Sequence, residues 1–312
     1  MTAYRHLFGP VPSRRLGRSL GVDLVPAKTC SANCVFCQLG RTARPTVARR
    51  EHVPTGEVLR ELADWFARGG AADYVTLAGS GEPTLHSRFG EVLAFIRRRR
   101  LAPSALLSNG TLFDLPEVRA AARQAAVVKL SLNAWDQASF ERVNRPHPSL
   151  RFERIIAGYR AFRREYRGQI WLEVFLVPGL NARQDAVRRI AALAATFAPD
   201  RIHLNTVARP PAEPSVRPVA VRRLRALAGL LTPAAEVAAE RPASCAAGGA
   251  ADGAAILALL RRHPATEHAI AQSFGATPRE VGKQLQALIE AGRVRTRRTR
   301  AGVWYVPVRR SR

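Results

Sequence analysis

The sequence is short of lysine, of acid and of cysteine, and each shortage narrows what the chain encodes. Of its 49 basic residues only Lys28, Lys129 and Lys283 are lysines, and 24 acids stand against the total. Four cysteines, three of them within residues 30–37, exclude a disulfide framework. Such a cluster fits a reducing compartment and a metal or redox site. No run of 18 apolar residues occurs, which excludes a membrane-spanning helix. The opening "MTAYRHLFGPVPSRRLGRSLG" has no apolar core of the kind a secretory signal needs. These absences predict a cytoplasmic protein with no membrane partner.

The 312 residues suffice for one large domain and a small one. The net charge is +25, carried almost wholly by arginine. A coding preference for arginine explains the choice over lysine but not the excess of base over acid, which favours an anionic partner, nucleic acid first. A merely solvated basic surface is the plainer alternative.

Residues 1–206 alternate strand-like and helix-like segments. Strands are predicted at 19–25, 74–79, 104–108, 127–133, 170–177 and 201–206. Between them, "EVLRELADWFARG" gathers Val58, Leu59, Leu62, Trp65 and Phe66 on one helical face, and "DLPEVRAAARQA" opens with Asp114 and Glu117 at capping-box spacing. Six strands alternating with helices predict an α/β fold: a partial (β/α)6 barrel with helices outside a parallel sheet. Residues 207–252, rich in Pro, Ala and Gly, read as a linker around one helix near 219–231, with Cys245 in its loosest part. Residues 253–312 read as three helices and a hairpin, a winged helix with a basic tail. Between 252 and 312 lie 12 basic and 4 acidic residues, and Trp304 and Tyr305 interrupt the last arginine-rich run. That unit suits RNA or other nucleic acid, with the aromatics stacking on bases; docking on a protein, with Trp304 filling the hairpin core, is the alternative.

Cys30, Cys34 and Cys37 are spaced C-x3-C-x2-C. Structural zinc wants four ligands, and only Cys245 is left to supply one. A redox pair at Cys34 and Cys37 leaves Cys30 unexplained. A [4Fe–4S] cluster with three thiolates leaves one iron open for another molecule.

With Phe36 before the last cysteine, the triad resembles the signature of the radical S-adenosylmethionine (SAM) superfamily. "GSGEP" (Gly79, Ser80, Gly81, Glu82, Pro83) resembles the superfamily's Gly-Gly-Glu-Pro segment, departing at Ser80. "SNG" (Ser108, Asn109), "SLNA" (Ser131, Asn133) and "VPGLN" resemble the later cofactor-contacting segments. Each follows a predicted strand, at the end where parallel barrels build active sites. Across about two thirds of the chain, "FGPVPSRRLGRSLGVDLVPAKTCSANCVFCQLG" and "HLNTVARPPAE" resemble proteins grouped with the wyosine transfer-RNA-modifying radical enzymes. Authentic archaeal wyosine synthases carry extra cysteines for a second cluster, and this chain has none to spare.

The resemblance implies that the three cysteines bind irons, that the fourth iron chelates SAM, and that an external electron donor drives its cleavage to a 5′-deoxyadenosyl radical. With the basic C-terminal unit, the expected substrate is RNA, with a protein, peptide or small molecule as alternative. A non-catalytic iron–sulfur sensor with a DNA-binding winged helix is the rival from another class, and it has no use for "GSGEP" or "SNG".

Period-two alternation puts Lys129, Ser131 and Asn133 on one face, and Trp171, Glu173 and Phe175 on the face of the next strand. Lys129 and Glu173 are expected to meet inside the barrel, as a structural ion pair or as substrate contacts. Asn205 is a further pocket candidate, while His203 has no assigned role. Arg14, Arg15 and Arg18 are expected near the pocket mouth, as anion clamps or as a solvated loop.

Overall fold

The computed structural model describes residues 4–13, 15–237, 251–262, 264–299 and 302–308. Arg14 and Cys245 lie outside them.

An eight-stranded sheet runs in chain order: β1 (Leu7–Ser13), β2 (Gly17–Val22), β3 (Tyr74–Leu77), β4 (Ser104–Leu107), β5 (Val127–Ser131), β6 (Gln169–Phe175), β7 (Arg201–Asn205) and β8 (Glu236–Val237). Strands β2 to β8 pair in parallel, and β1 pairs antiparallel with β2. Helices α1 (Thr55–Ala67), α2 (Phe89–Arg98), α3 (Pro116–Ala122), α4 (Gln137–Asn144), α5 (Phe152–Glu165), α6 (Gln184–Ala195) and α7 (Val221–Ala228) lie between them. The six predicted strands are present as β2 to β7 in a partial barrel. Sequence patterning misses β1, which is broken by Gly9, Pro10 and Pro12, and β8, which is only two residues long.

Period-two alternation sorts the layers. Val128 and Leu130 of β5, with Ile170, Leu172 and Val174 of β6, join the core shared with the helices. Each such fully buried aliphatic side chain contributes about 1.5–3 kcal/mol. Their neighbours point inward, where Leu16, Ala105, Val127 and Trp171 form a separate apolar plug. This plug uses early residues of β4, β5 and β6, so it closes the barrel at the end where parallel strands begin. Helix α3 departs from expectation: its N-cap is Leu115, without a side-chain cap, because Pro116 already fixes the first turn.

Residues 219–231, expected within a linker, pack on the barrel. Val219, Leu224, Leu227 and Leu231 are buried in the main core, and β8 pairs with β7. Beyond them α8 (Gly253–Arg262), α9 (Glu267–Phe274), α10 (Pro278–Glu290) and the hairpin β9 (Val294–Thr299)–β10 (Gly302–Pro307) enclose a second core around Ile256, Leu260, Ile270 and Leu285. Gly275 takes the left-handed conformation that ends α9, and α10 opens with a Thr277–Glu280 capping box and Pro278 in its first turn. Trp304 is buried and donates from Nε1 to Thr299 Oγ1 at 3.0 Å, and Tyr305 packs on the second core. Trp304 is thus engaged within the unit, while Tyr305 is partly buried against its core.

Candidate functional site

The loops after β2, β3, β4, β5 and β6 all leave the same end of the sheet, because those strands are parallel. The cysteine loop follows β2, and residues 79–83 follow β3. Two hydrogen bonds join these loops: Glu82 N donates to Thr29 O at 2.9 Å, and Lys28 N to Ser80 O at 2.6 Å. A Cβ on Gly81 would lie 1.9 Å from Thr29 O, so this approach requires glycine. Gly79 has φ +134°, and a Cβ there would crowd the Asp23 carboxylate. On the other side, Val35 N donates to Val143 O, Asn33 N to Arg145 O and His147 N to Ser31 O, which moors the cysteine loop to the end of α4.

Each sulfur meets an N–H donor. Lys28 Nζ lies 3.4 Å from Cys37 Sγ, Asn144 Nδ2 3.3 Å from Cys34 Sγ, and Asn109 Nδ2 3.6 Å from Cys30 Sγ. Burial raises the Cys34 thiol well above its ordinary range and pushes Cys30 up to about 11. Three partly buried thiols furnished with donors suit thiolates whose charge is taken up by metal. Among the described residues no three His, Cys, Asp or Glu side chains converge on a single ion. Three cysteines with no fourth protein ligand among the described residues suit a [4Fe–4S] cluster with one iron left open, whereas structural zinc takes four protein ligands. Phe36, inside the loop, stacks on Phe175 at the end of β6, with ring centres 4.0 Å apart.

Glu82 is buried, and its carboxylate is occupied by the protein itself. Oε1 accepts from Thr84 N (3.1 Å), Thr84 Oγ1 (2.7 Å) and Ser108 Oγ (2.7 Å), and Oε2 from Asn109 N (2.7 Å). Of the two roles open to it, receiving a ligand's ammonium or orienting the loop, this geometry performs the second. Burial moves the Glu82 carboxyl upward against those hydrogen bonds. Ser80, the departure from the superfamily's glycine, donates from Oγ to Asp23 Oδ2 at 2.5 Å and from its amide to Asp23 Oδ1 at 3.1 Å. Asp23 also accepts from Arg262 of α8 at 3.1 Å, and that guanidinium lies 4.2 Å above the Phe8 ring. Asn133 is committed too: its Oδ1 accepts Phe175 N, and its carbonyl accepts Asn181 Nδ2. Ser131 is half-buried on the inner face, and its carbonyl accepts Tyr159 Oη at 2.8 Å.

Deeper in the barrel, Lys129 and Glu173 meet as expected, Nζ to Oε2 at 2.8 Å. Arg15 donates to the other carboxylate oxygen at 2.8 Å, and Asn205 Nδ2 approaches it at 3.5 Å. Burial would raise Glu173, but Lys129 and Arg15 hold it far below the usual carboxylate range. Arg15 corrects the expectation of a clamp at the mouth. It belongs to the β1–β2 turn, so it enters through the floor, because the chain makes a hairpin before its first parallel strand. Arg18 lies outside, paired with Asp73 at 3.3 Å. His203 is buried beside Trp171, with ring centres 5.4 Å apart and, among the described residues, no hydrogen-bond partner for either nitrogen. Burial, with Arg15 nearby, holds its imidazole down to about 3.

Sequence reasoning missed Asp23, Lys28, Asn144 and Arg262. Only Lys28, two residues before the first cysteine, stands where proximity could have flagged it.

The sequence profile of the radical SAM superfamily matches residues 24–190. A GTPase Obg of Brachyspira hyodysenteriae is 31% identical over 93% of this chain, which spans 43% of that protein's length. A UPF0026 protein of Methanocaldococcus jannaschii is 32% identical, over 68% of this chain and 66% of its own length. One from Synechocystis is 35% identical, over 67% and 78% respectively. Among solved structures, TYW1 with a lysine–pyruvate adduct bound has a TM-score of 0.52 at 18% identity, covering 73% of this chain and 76% of that one. At that identity the likeness speaks for the fold.

Proposed function

The chain belongs to the radical SAM superfamily, alongside the UPF0026 proteins, and we propose that it is a radical SAM enzyme acting on RNA. Superfamily members bind a [4Fe–4S] cluster and SAM, which together supply, after reduction by an external donor, a 5′-deoxyadenosyl radical that abstracts a hydrogen atom. Here Cys30, Cys34 and Cys37 would hold the irons, with Lys28, Asn109 and Asn144 donating to the sulfurs. The backbone of Gly79–Pro83, with Ser108, Asn109 and Ser131, would cradle SAM, and Glu82 keeps that backbone in place. Below, Arg15, Lys129 and Asn205 face the substrate, two cations sharing the single carboxylate of Glu173. An anionic substrate group fits that imbalance.

The observation that carries the RNA reading is the attachment of the basic C-terminal unit to the cofactor loop, through Arg262, Asp23 and Ser80. We read that unit as a winged helix. The likeness to the wyosine group favours transfer RNA, while the want of a second cysteine set separates the reaction from wyosine formation itself.

The test is 5′-deoxyadenosine release by anaerobically reconstituted, reduced protein given SAM, with and without cellular RNA, beside Cys34→Ala. The expected result is nucleoside from the wild type alone, rising with RNA. Release that peptides raise and RNA does not would move the substrate to the peptide class. No release from a cluster-loaded wild type would remove the enzymatic reading.

A further inference from the structure

A groove of about 550 Å³ separates the cysteine loop from the C-terminal unit. Its walls come from three stretches of chain: Gln38–Arg41, just after Cys37; Pro210 and Pro211, beyond β7; and α8 with the β9–β10 hairpin. Arg41, Arg261, Arg295 and Arg297 line it, and no acidic residue among the described residues does. Arg41 reaches Glu213 at 3.4 Å, and Arg297 donates to Pro211 O at 3.5 Å. Among the described residues no carboxylate pairs with Arg261, Arg295 or Arg297. A concavity carrying this much uncompensated charge has a strong affinity for anions, and guanidinium forks match phosphate oxygens two at a time. The groove is also fixed relative to the cofactor loop, because Arg261 is followed by Arg262, which is held on Asp23.

We propose that this groove seats the phosphodiester backbone of single-stranded RNA, laying the chain beside the cysteine loop. The arginines stand on opposite walls and on separate segments, which suits a repeating anion better than a single one. Since no aromatic residue is among the described residues that line the groove, recognition here runs through phosphate rather than base stacking. The proposal takes its ligand class from the RNA reading above, but binding needs no turnover, so the two can fail separately.

The test is fluorescence anisotropy of a labelled oligouridine of about 15 nucleotides, titrated with full-length, cluster-loaded protein across a salt series. Arg261→Ala/Arg295→Ala/Arg297→Ala should weaken binding about tenfold or more and flatten the log K against log salt slope by about 2. A matched loss of charge on the barrel's outer surface, Arg60→Ala/Arg98→Ala/Arg123→Ala, should leave affinity near wild type. Unchanged melting temperature and iron content would show that the groove variant folds, and Arg295→Glu alone serves if it does not. The proposal is overturned if wild type does not bind, if the groove variants bind like wild type, if the outer-surface variant loses as much, or if polyglutamate competes as well as RNA. If binding behaves as expected but no RNA raises 5′-deoxyadenosine, the RNA-substrate reading fails and the groove stands. If RNA raises it in a groove variant that binds normally, the groove fails and that reading stands.

Discussion

The rim and the interior of the barrel handle buried polarity in opposite ways. At the rim, one carboxylate, Glu82, accepts four donors from two loops and leaves little over. In the interior, one carboxylate, Glu173, is shared by two cations, and His203 has no hydrogen-bond partner among the described residues. A self-satisfied network is already in its working shape and costs no reordering when a ligand arrives. An interior with spare donors is incomplete until something fills it. The rim is thus largely satisfied by its own donors, while the interior sets two cations against one carboxylate.

Glu82→Ala strands the Thr84 and Asn109 amides in a buried place, at a cost of about 4 kcal/mol. The expected readouts are a lower melting temperature and poor iron retention. A variant that keeps both would show that the rim does not depend on this carboxylate.

Glu173→Gln comes next. Removing one member of a buried charged group costs about 3 kcal/mol at neutral pH, read by denaturant unfolding. Because the folded-state value of Glu173 is depressed, its stabilisation is present above about pH 4.3 and fades as pH falls further. The gap between wild type and variant should therefore close in acid. His203 acts in a higher window. Its folded value of about 3 lies below the unfolded 6.5, so stability is full above about pH 6.5 and declines as pH falls toward 3. His203→Phe should flatten the decline between pH 6.5 and 4, and an unaltered slope would place the loss elsewhere.

The smallest effect is expected at Ser80. Ser80→Gly restores the residue usual in the superfamily and loses one hydrogen bond to Asp23, about 1 kcal/mol. It tests whether the rim tolerates a missing donor when the acceptor keeps others. SAM binding to the cluster-loaded protein should weaken only a few-fold.

Chemistry carried on contiguous residues was legible in the sequence; chemistry assembled across the fold was not. Three cysteines in eight residues and "GSGEP" announce themselves, and period-two alternation suffices to put Lys129 and Glu173 on facing walls. The partners that make these residues work are remote. Asp23 meets Ser80 across 57 positions, Asn144 meets Cys34 across 110, and Arg262 meets Asp23 across 239. No local pattern encodes such pairings. Arg15 was misplaced for a related reason. Its depth depends on the hairpin before β2, and a strand broken by Gly9, Pro10 and Pro12 hides that hairpin.

The spacing of the sulfur donors also bears on biosynthesis. Cys30, Cys34 and Cys37 leave the ribosome early, but Asn109 follows Cys30 by 79 residues and Asn144 follows Cys34 by 110. The moorings of the cysteine loop at Val143, Arg145 and His147 emerge later still than Asn109. On a nascent chain that ends before α4, the three thiols are present without a complete pocket to hold them. The full set of contacts around the three sulfurs therefore exists only once the chain has folded through α4 and the residues just after it.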